Sequence, residues 1–192
     1  MKRVIDIIVA LAAILLCLPL LVACGTAVKL YDGGPIMYKS TRVGKRGKHF
    51  KMWKLRTMRV DADRMRKELV PDDTIRFKMK RDPRITLPGR FLRKSSIDEL
   101  PQLLNVLKGD MSIVGPRPPI PEEVAKYNEK QRLRLEAEQG ITCYWQVMGR
   151  NNLSFEEQVD LDIKYIREQN VLTDLKILLQ TVPAVLMARG AC

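Results

Sequence analysis

The sequence predicts a mostly helical α+β protein: a membrane-embedded re-entrant helix at the N-terminus, a small β-hairpin, and amphipathic interfacial helices. Three observations carry that expectation. Residues Ile7 to Val28 form an uncharged run of 22, residues Ile36 to Met58 alternate roughly around a Gly-rich turn, and leucines recur at helical spacing after residue 98 and near the C-terminus. At 192 residues the chain has room for one domain with a real core and one accessory element.

The N-terminal run exceeds the roughly 18 apolar residues that mark a membrane helix. A cleaved signal peptide fits poorly, because the run is long and Ala23-Cys24-Gly25 is a weak A-x-A site. Leu21 to Cys24 resembles a lipoprotein box, a reading that ranks below retention because it would export a Lys/Arg-rich domain. Pro19 lies mid-run, where it removes one helical hydrogen bond and kinks the axis. Basic residues flank both ends: Lys2 and Arg3 before, Lys29, Lys39 and Arg42 after. A helix that dips into one leaflet and returns leaves both flanks in the cytoplasm, as the positive-inside rule prefers; a straight single span is the alternative. The division that follows is a re-entrant membrane helix over residues 1–35 and a cytoplasmic domain over 36–192, to which any catalytic function would fall.

Charge is concentrated in the middle of the chain. Residues 37 to 95 carry 20 basic and 6 acidic groups, whereas residues 96 to 192 carry 11 and 14. Such a block calls for an anionic partner: nucleic acid, acidic lipid or a phosphorylated small molecule. No helix-turn-helix, zinc finger or RNP-type pattern supports nucleic acid, and a membrane segment beside the block favours lipid head groups and phosphates. Cys17, Cys24, Cys143 and Cys192 form no CxxC pair and read as reduced thiols. With His49 the sole histidine, catalysis falls to carboxylates and basic groups.

Within the block, the Gly44-Lys-Arg-Gly-Lys48 turn between Met37-Tyr38 and Phe50 to Leu55 predicts a hairpin. The turn lacks Walker spacing, so an exposed turn is preferred to a phosphate cradle. A helix is expected over Ala62 to Leu69, then a loop broken by Pro71, Pro83 and Pro88.

The most informative stretch runs from Phe91 to Leu107. Leu100, Leu103, Leu104 and Leu107 make one apolar helical face. Ser96 and Glu99 fit a capping box, while Pro101 suits a first turn. Either start places Asp98 and Glu99 at the helix N-terminus, where acidic residues often do nothing beyond matching the macrodipole. The same position would stabilise an ionised carboxylate and a nearby phosphate.

The chain also resembles the bacterial sugar transferase family, the monotopic phosphoglycosyl transferases in their short catalytic-core form. The resemblance is carried by Lys54-Leu-Arg-Thr-Met58, by the run from Arg93-Lys-Ser-Ser-Ile-Asp-Glu-Leu-Pro-Gln to Val114-Gly-Pro-Arg-Pro118, by Gly140-Ile-Thr142 and by Trp145 to Asn151. It covers essentially the whole chain. It implies transfer of a sugar-1-phosphate from a UDP-sugar to undecaprenyl phosphate, initiating assembly of a glycan. In that scheme Asp98 is the covalent nucleophile, UMP is released, and Glu99 works with Mg²⁺, the two carboxylates forming the metal side. Arg56, Arg93, Arg117 and Arg150 are the implied substrate-binding residues. The implied location is the inner membrane, with the catalytic domain on the cytoplasmic face, inner-membrane lipid as surroundings, no nucleic acid partner, and a homodimer among the open assemblies.

A carboxylate suits this chemistry, being a competent nucleophile toward phosphorus that is already ionised at neutral pH. Arginines and Mg²⁺ would neutralise the anionic diphosphate. Pro116 and Pro118 restrict the backbone on either side of Arg117. The sequence departs from the family at Gln139, at Cys143-Tyr144-Trp145 and Met148, and in having Leu18 rather than Ser before Pro19. These departures bear on the donor sugar and on the membrane geometry. The competing reading is a non-catalytic membrane adaptor that binds anionic lipid or nucleic acid through residues 37 to 95.

In the C-terminal third, Glu122 to Ala137 reads as a charged surface helix, and Ser154 with Glu157 opens another helix running to about Gln169. A last helix over Thr173 to Met187 is apolar along Leu175, Leu178, Leu179, Val182 and Leu186, and fits either the core or the membrane interface.

Overall fold

The computed structural model describes residues 1–69, 79, 82–149 and 152–186. Helix α1, Lys2–Asp32, continues through Pro19 and stops at Gly33, whose left-handed backbone (φ 72°) lets its N–H close on the Lys29 carbonyl. Among the described residues it is the one helix long and apolar enough to cross a bilayer. It touches the rest of the chain at both ends. Near its start Asp6 and Ala10 are buried, near its end Gly25 and Val28 are, and between them Leu18, Pro19 and Leu20 are exposed.

Strands β1, Met37–Val43, and β2, His49–Leu55, form the expected antiparallel hairpin around a turn at Lys45–Gly47. Their register pairs Tyr38 with Lys54 and Arg42 with Phe50. Strand alternation therefore places Tyr38, Ser40, Arg42, Phe50, Met52 and Lys54 on one face. Phe50 and Met52 anchor that face in the core.

Helix α2, Ala62–Leu69, lies where the sequence puts it. The next stretch corrects the expectation: Leu87–Ser95 is a helix, α3, not a loop. Pro88 falls in its first turn, where a missing N–H costs nothing, and the Thr86 side chain caps it by accepting from the Gly89 N–H at 3.0 Å. Gly89 is obligatory, because a Cβ there would lie 2.0 Å from the Thr57 carbonyl oxygen. Pro71 lies outside the described residues.

A 3₁₀ turn at Ile97–Glu99 leads into α4, Gln102–Lys108. The buried face of α4 is Leu103 with Val106; Leu104, expected there, is exposed. Strand β3, Ser112–Val114, pairs in parallel with β4, Gly140–Thr142, a contact the sequence did not announce. Between them the expected single helix is broken into α5, Pro121–Ala125, α6, Glu129–Arg132, and a 3₁₀ turn at Leu133–Leu135. Asn128 accounts for the break, since its side chain caps α6 in a full capping box with Gln131.

Helices α7, Tyr144–Met148, α8, Phe155–Glu168, and α9, Val171–Leu186, complete the described chain. The Ser154–Glu157 capping box of α8 forms as expected. Helix α9 divides its two faces: Ile177 is fully buried, whereas Leu172, Leu175, Leu179 and Val182 are exposed.

One core cluster joins Ala10 of α1 to Phe50 and Met52, to Leu103 and Val106, to Ile113 and Val114, and to Tyr165 and Ile177. A smaller one joins Val28 to Leu55 and Leu92. Polar contacts reinforce both. The buried Asp6 carboxylate accepts from the Ser112 hydroxyl and the Ile113 N–H, each at 3.0 Å. Lys2 donates to Asp174 at 2.6 Å and to the Val114 carbonyl at 3.0 Å, and the Arg3 guanidinium donates to the Val106 and Leu107 carbonyls. At the far end Asp32 pairs with Arg56.

Candidate active site

Asp98 and Glu99 sit in the 3₁₀ turn between α3 and α4, one turn before the α-helix proper. The expected Ser96–Glu99 capping box does not form. Ser96 takes a left-handed backbone (φ 58°) and makes no side-chain cap, while Glu99 turns away toward stronger partners. Arg117 donates to it in a fork, Nη2 to Oε1 at 2.5 Å and Nη1 to Oε2 at 3.1 Å, and Lys54 Nζ reaches the same Oε1 at 2.6 Å. A charge-assisted fork outweighs a neutral backbone N–H as a partner for a carboxylate.

The two carboxylates are thereby driven apart electrostatically. Burial alone would raise Glu99, but Arg117 and Lys54 overcome it and hold the carboxyl well below its ordinary range. Asp98 goes the other way. Burial is the largest influence and the Glu99 charge adds to it; Lys54, Arg93 and Arg117 oppose, and the carboxyl settles at about 6. The expectation that a helix start would hold Asp98 ionised thus misses the main effect. A three-residue turn supplies little dipole, and loss of water dominates. Asp98 is only 7% exposed and accepts no hydrogen bond from any described residue.

Arg117 is placed by backbone contact as well as by its flanking prolines. Gly115 N–H donates to the Thr142 carbonyl at 3.0 Å and Gly140 N–H to the Pro116 carbonyl at 2.8 Å. The two glycines touch so closely that a Cβ on Gly140 would lie 2.1 Å from the Gly115 nitrogen. Gln146 adds a further hold: with its amide nitrogen on the Ile141 carbonyl (3.2 Å), its oxygen accepts from Arg117 Nη1 at 3.3 Å.

Of the other arginines singled out from the sequence, Arg93 stands near Asp98, its Nε donating to the Thr57 hydroxyl at 2.9 Å. Arg56 stands apart. Its guanidinium is used up on Asp32 and on the carbonyls of Pro35 (2.6 Å) and Met58 (3.0 Å), joining the end of α1 to the end of β2. Arg150 lies outside the described residues. Sequence reasoning overlooked Lys54 and Gln146 as individual site members. For Lys54 the signal was available: strand alternation puts it on the same face as the core residues Phe50 and Met52.

No group of three or more His, Cys, Asp or Glu side chains that could hold a metal occurs among the described residues. The two site carboxylates nevertheless suit Mg²⁺ that arrives with a diphosphate. Both Asp98 oxygens are unengaged and Glu99 Oε2 has one partner, so three oxygens would be available to such an ion, and Mg²⁺ ordinarily takes its remaining ligands from phosphates and water.

One helix of membrane length and a carboxylate pair ringed by cations thus occur in the same fold. The chain belongs to the bacterial sugar transferase family, whose sequence pattern matches residues 1–188. It is 46% identical over 99% of its length to the galactosyl transferase CpsE of Streptococcus agalactiae serotype III, covering 43% of that protein. It is 41% identical over its full length to the undecaprenyl-phosphate galactose phosphotransferase of Salmonella typhimurium, covering 41% of it. It is 39% identical over 99% of its length to the exopolysaccharide production protein ExoY of Sinorhizobium fredii, covering 87% of it. The chain therefore spans less than half of the first two relatives and most of the third.

Proposed function

We propose that this protein transfers a sugar-1-phosphate from a UDP-sugar to undecaprenyl phosphate at the cytoplasmic face of the inner membrane, through a phosphosugar carried on Asp98. The observation that carries the reading is the division of labour between neighbours. Glu99 is held by two cations, whereas Asp98 is buried, unengaged, and predominantly ionised at neutral pH. An anionic oxygen stripped of water and of hydrogen bonds is a strong nucleophile.

In the first step an Asp98 oxygen attacks the sugar-linked phosphorus. The new O–P bond forms as the P–O bond to UMP breaks, and UMP leaves with the bonding pair. In the second step a phosphate oxygen of the polyprenyl carrier attacks the same phosphorus, making the diphosphate link and returning the Asp98 carboxylate. Arg117 and Arg93 neutralise the phosphate oxygens, and Lys54 keeps Glu99 and Arg117 in place. Mg²⁺ held by Asp98 and Glu99 with the donor diphosphate would add further charge neutralisation. The relatives' names support the carrier: one is a galactose phosphotransferase of undecaprenyl phosphate.

We propose a re-entrant path for α1. A straight helix of 31 residues is about 46 Å long and would span a bilayer with its ends on opposite sides. Here both ends are bonded to the same domain, and the stretch around Pro19 between them is exposed. The exposed apolar rows on α9 and on α3 (Leu87, Phe91) would rest in the interface.

The test is a radiolabelled UDP-sugar panel with Mg²⁺ and no acceptor. Stoichiometric UMP release and sugar phosphate bound covalently to the wild type are expected, and neither with Asp98→Asn. Full turnover by Asp98→Asn would overturn the assignment. Thiol labelling at position 2 tests topology: reaction only from outside the cell would exclude the re-entrant path.

A further inference from the structure

The cations around Glu99 outnumber the acids. Lys54 and Arg117 share that one carboxylate, and a third cation, Arg42, has none. Arg42 is half-buried on β1. Its Nη1 donates to the Pro118 carbonyl at 3.2 Å and its Nε to the Ser40 hydroxyl at 3.4 Å. Among the described residues no carboxylate lies within ion-pair distance of it, and Glu99 and Glu123 act on it only through space.

Its neighbours make this arrangement costly. The Pro118 carbonyl that it holds directly follows Arg117, and Val43 N–H bonds the next carbonyl, Pro119, at 2.9 Å. Strand β1 is thus stitched to the Arg117 loop, and two guanidinium groups are kept near each other. Burial and the Arg117 charge together pull Arg42 down to about 10. A folded chain gains nothing from crowding two like charges away from water unless an anion joins them. Arg42 also shares its face of the hairpin with Lys54, so both point to the side of the sheet that carries the active site.

We infer that Arg42 is a further phosphate-binding residue of this site, holding a substrate phosphate alongside Arg117. A guanidinium fork with spare donors fits phosphate oxygens. Two sources have this chemistry, the donor's diphosphate and the carrier's single phosphate. The inference rests on the transferase reading for the identity of the substrates, though not for the presence of an anion site.

The experiment compares wild type with Arg42→Gln and Arg42→Lys, purified in lipid nanodiscs with thermal melts as a check on folding. UDP is titrated calorimetrically as a direct probe, and steady-state constants are measured separately for UDP-sugar and polyprenyl phosphate. Loss of an arginine–phosphate contact is expected to weaken binding roughly 10- to 100-fold. If UDP affinity and the donor KM change together, Arg42 holds the donor. If only the carrier KM rises, it holds the carrier phosphate. Arg42→Lys, which keeps charge and loses the fork, should recover part of the loss. Unchanged UDP affinity and unchanged KM for both substrates in a folded Arg42→Gln would overturn the inference. UDP binding by a wild type that releases no UMP from any UDP-sugar would instead sink the transferase reading and leave the anion site standing.

Discussion

The Arg117 guanidinium grips both oxygens of Glu99, at 2.5 and 3.1 Å, across 18 residues of sequence. Removing one member of a partly buried pair leaves the other's charge poorly compensated, at a cost somewhat under the roughly 3–5 kcal/mol of a fully buried one. Arg117→Met should therefore lower the melting temperature and abolish transfer. Arg117→Lys should keep much of the stability yet lose at least roughly ten-fold in kcat/KM, because an ammonium cannot reproduce the fork. Equal activity of the lysine variant would show that charge alone suffices.

Asp98→Asn should be inactive and more stable than wild type at pH 7.5. The native carboxyl titrates at about 6 against an ordinary value of 3.8, so above pH 6 the folded state carries an ion it would shed if it could. A displacement of that size corresponds to about 3 kcal/mol, and part of that, read as a Tm several degrees higher, should be recovered by the neutral amide. A lower Tm for the variant would contradict the dominance of burial at this carboxyl.

The same group sets a pH profile. On the proposed mechanism the anion of Asp98 attacks, so kcat/KM for UMP release should fall as pH drops through 6, with a slope of one proton. Stability moves oppositely over this range: the native state takes up the proton first, so the contribution of Asp98 improves as pH falls from 6 toward 4. An acid limb at or below pH 4.5 would not fit this environment.

Gly140→Ala should disturb the site without touching it. Its Cβ would lie 2.1 Å from backbone, which a rigid pair of strands cannot absorb cheaply. Overpacking of this kind costs roughly 1–3 kcal/mol, and the displaced segment carries Arg117. A loss of activity larger than the loss of stability explains is expected, measured as kcat on the folded fraction.

Much of this was legible in the residues. The hairpin announced itself by alternation around Gly44 and Gly47, and α8 by Ser154 with Glu157. Helix α3 was hidden because Pro88 reads as a breaker, and only the packing shows that it sits in a first turn while Gly89 makes room for Thr57. The helix over Glu122 to Ala137 failed because Asn128 is as good a cap as a helix-interior residue. Strands β3 and β4, with three residues each, are too short to carry a period. At the site, the family pattern led to Asp98, Glu99 and Arg117, but nothing local foretold that Glu99 would abandon its cap for Arg117. Nor could charge counting separate Lys54 and Arg42 from the other 18 cations between residues 37 and 95, because the pairing of β1 with β2 gives them their position.

The anchoring of α1 has a practical corollary. Composition changes sharply near residue 35, inviting a soluble fragment that begins there. Packing does not respect that line: Ala10 is wholly inside the core, and Asp6 satisfies two donors at β3. A fragment starting at residue 36 would lose one wall of its interior and the clamp on the strand that precedes Arg117. Such a truncation would be a damaged enzyme rather than an unanchored one, and its inactivity would reveal little about the bilayer.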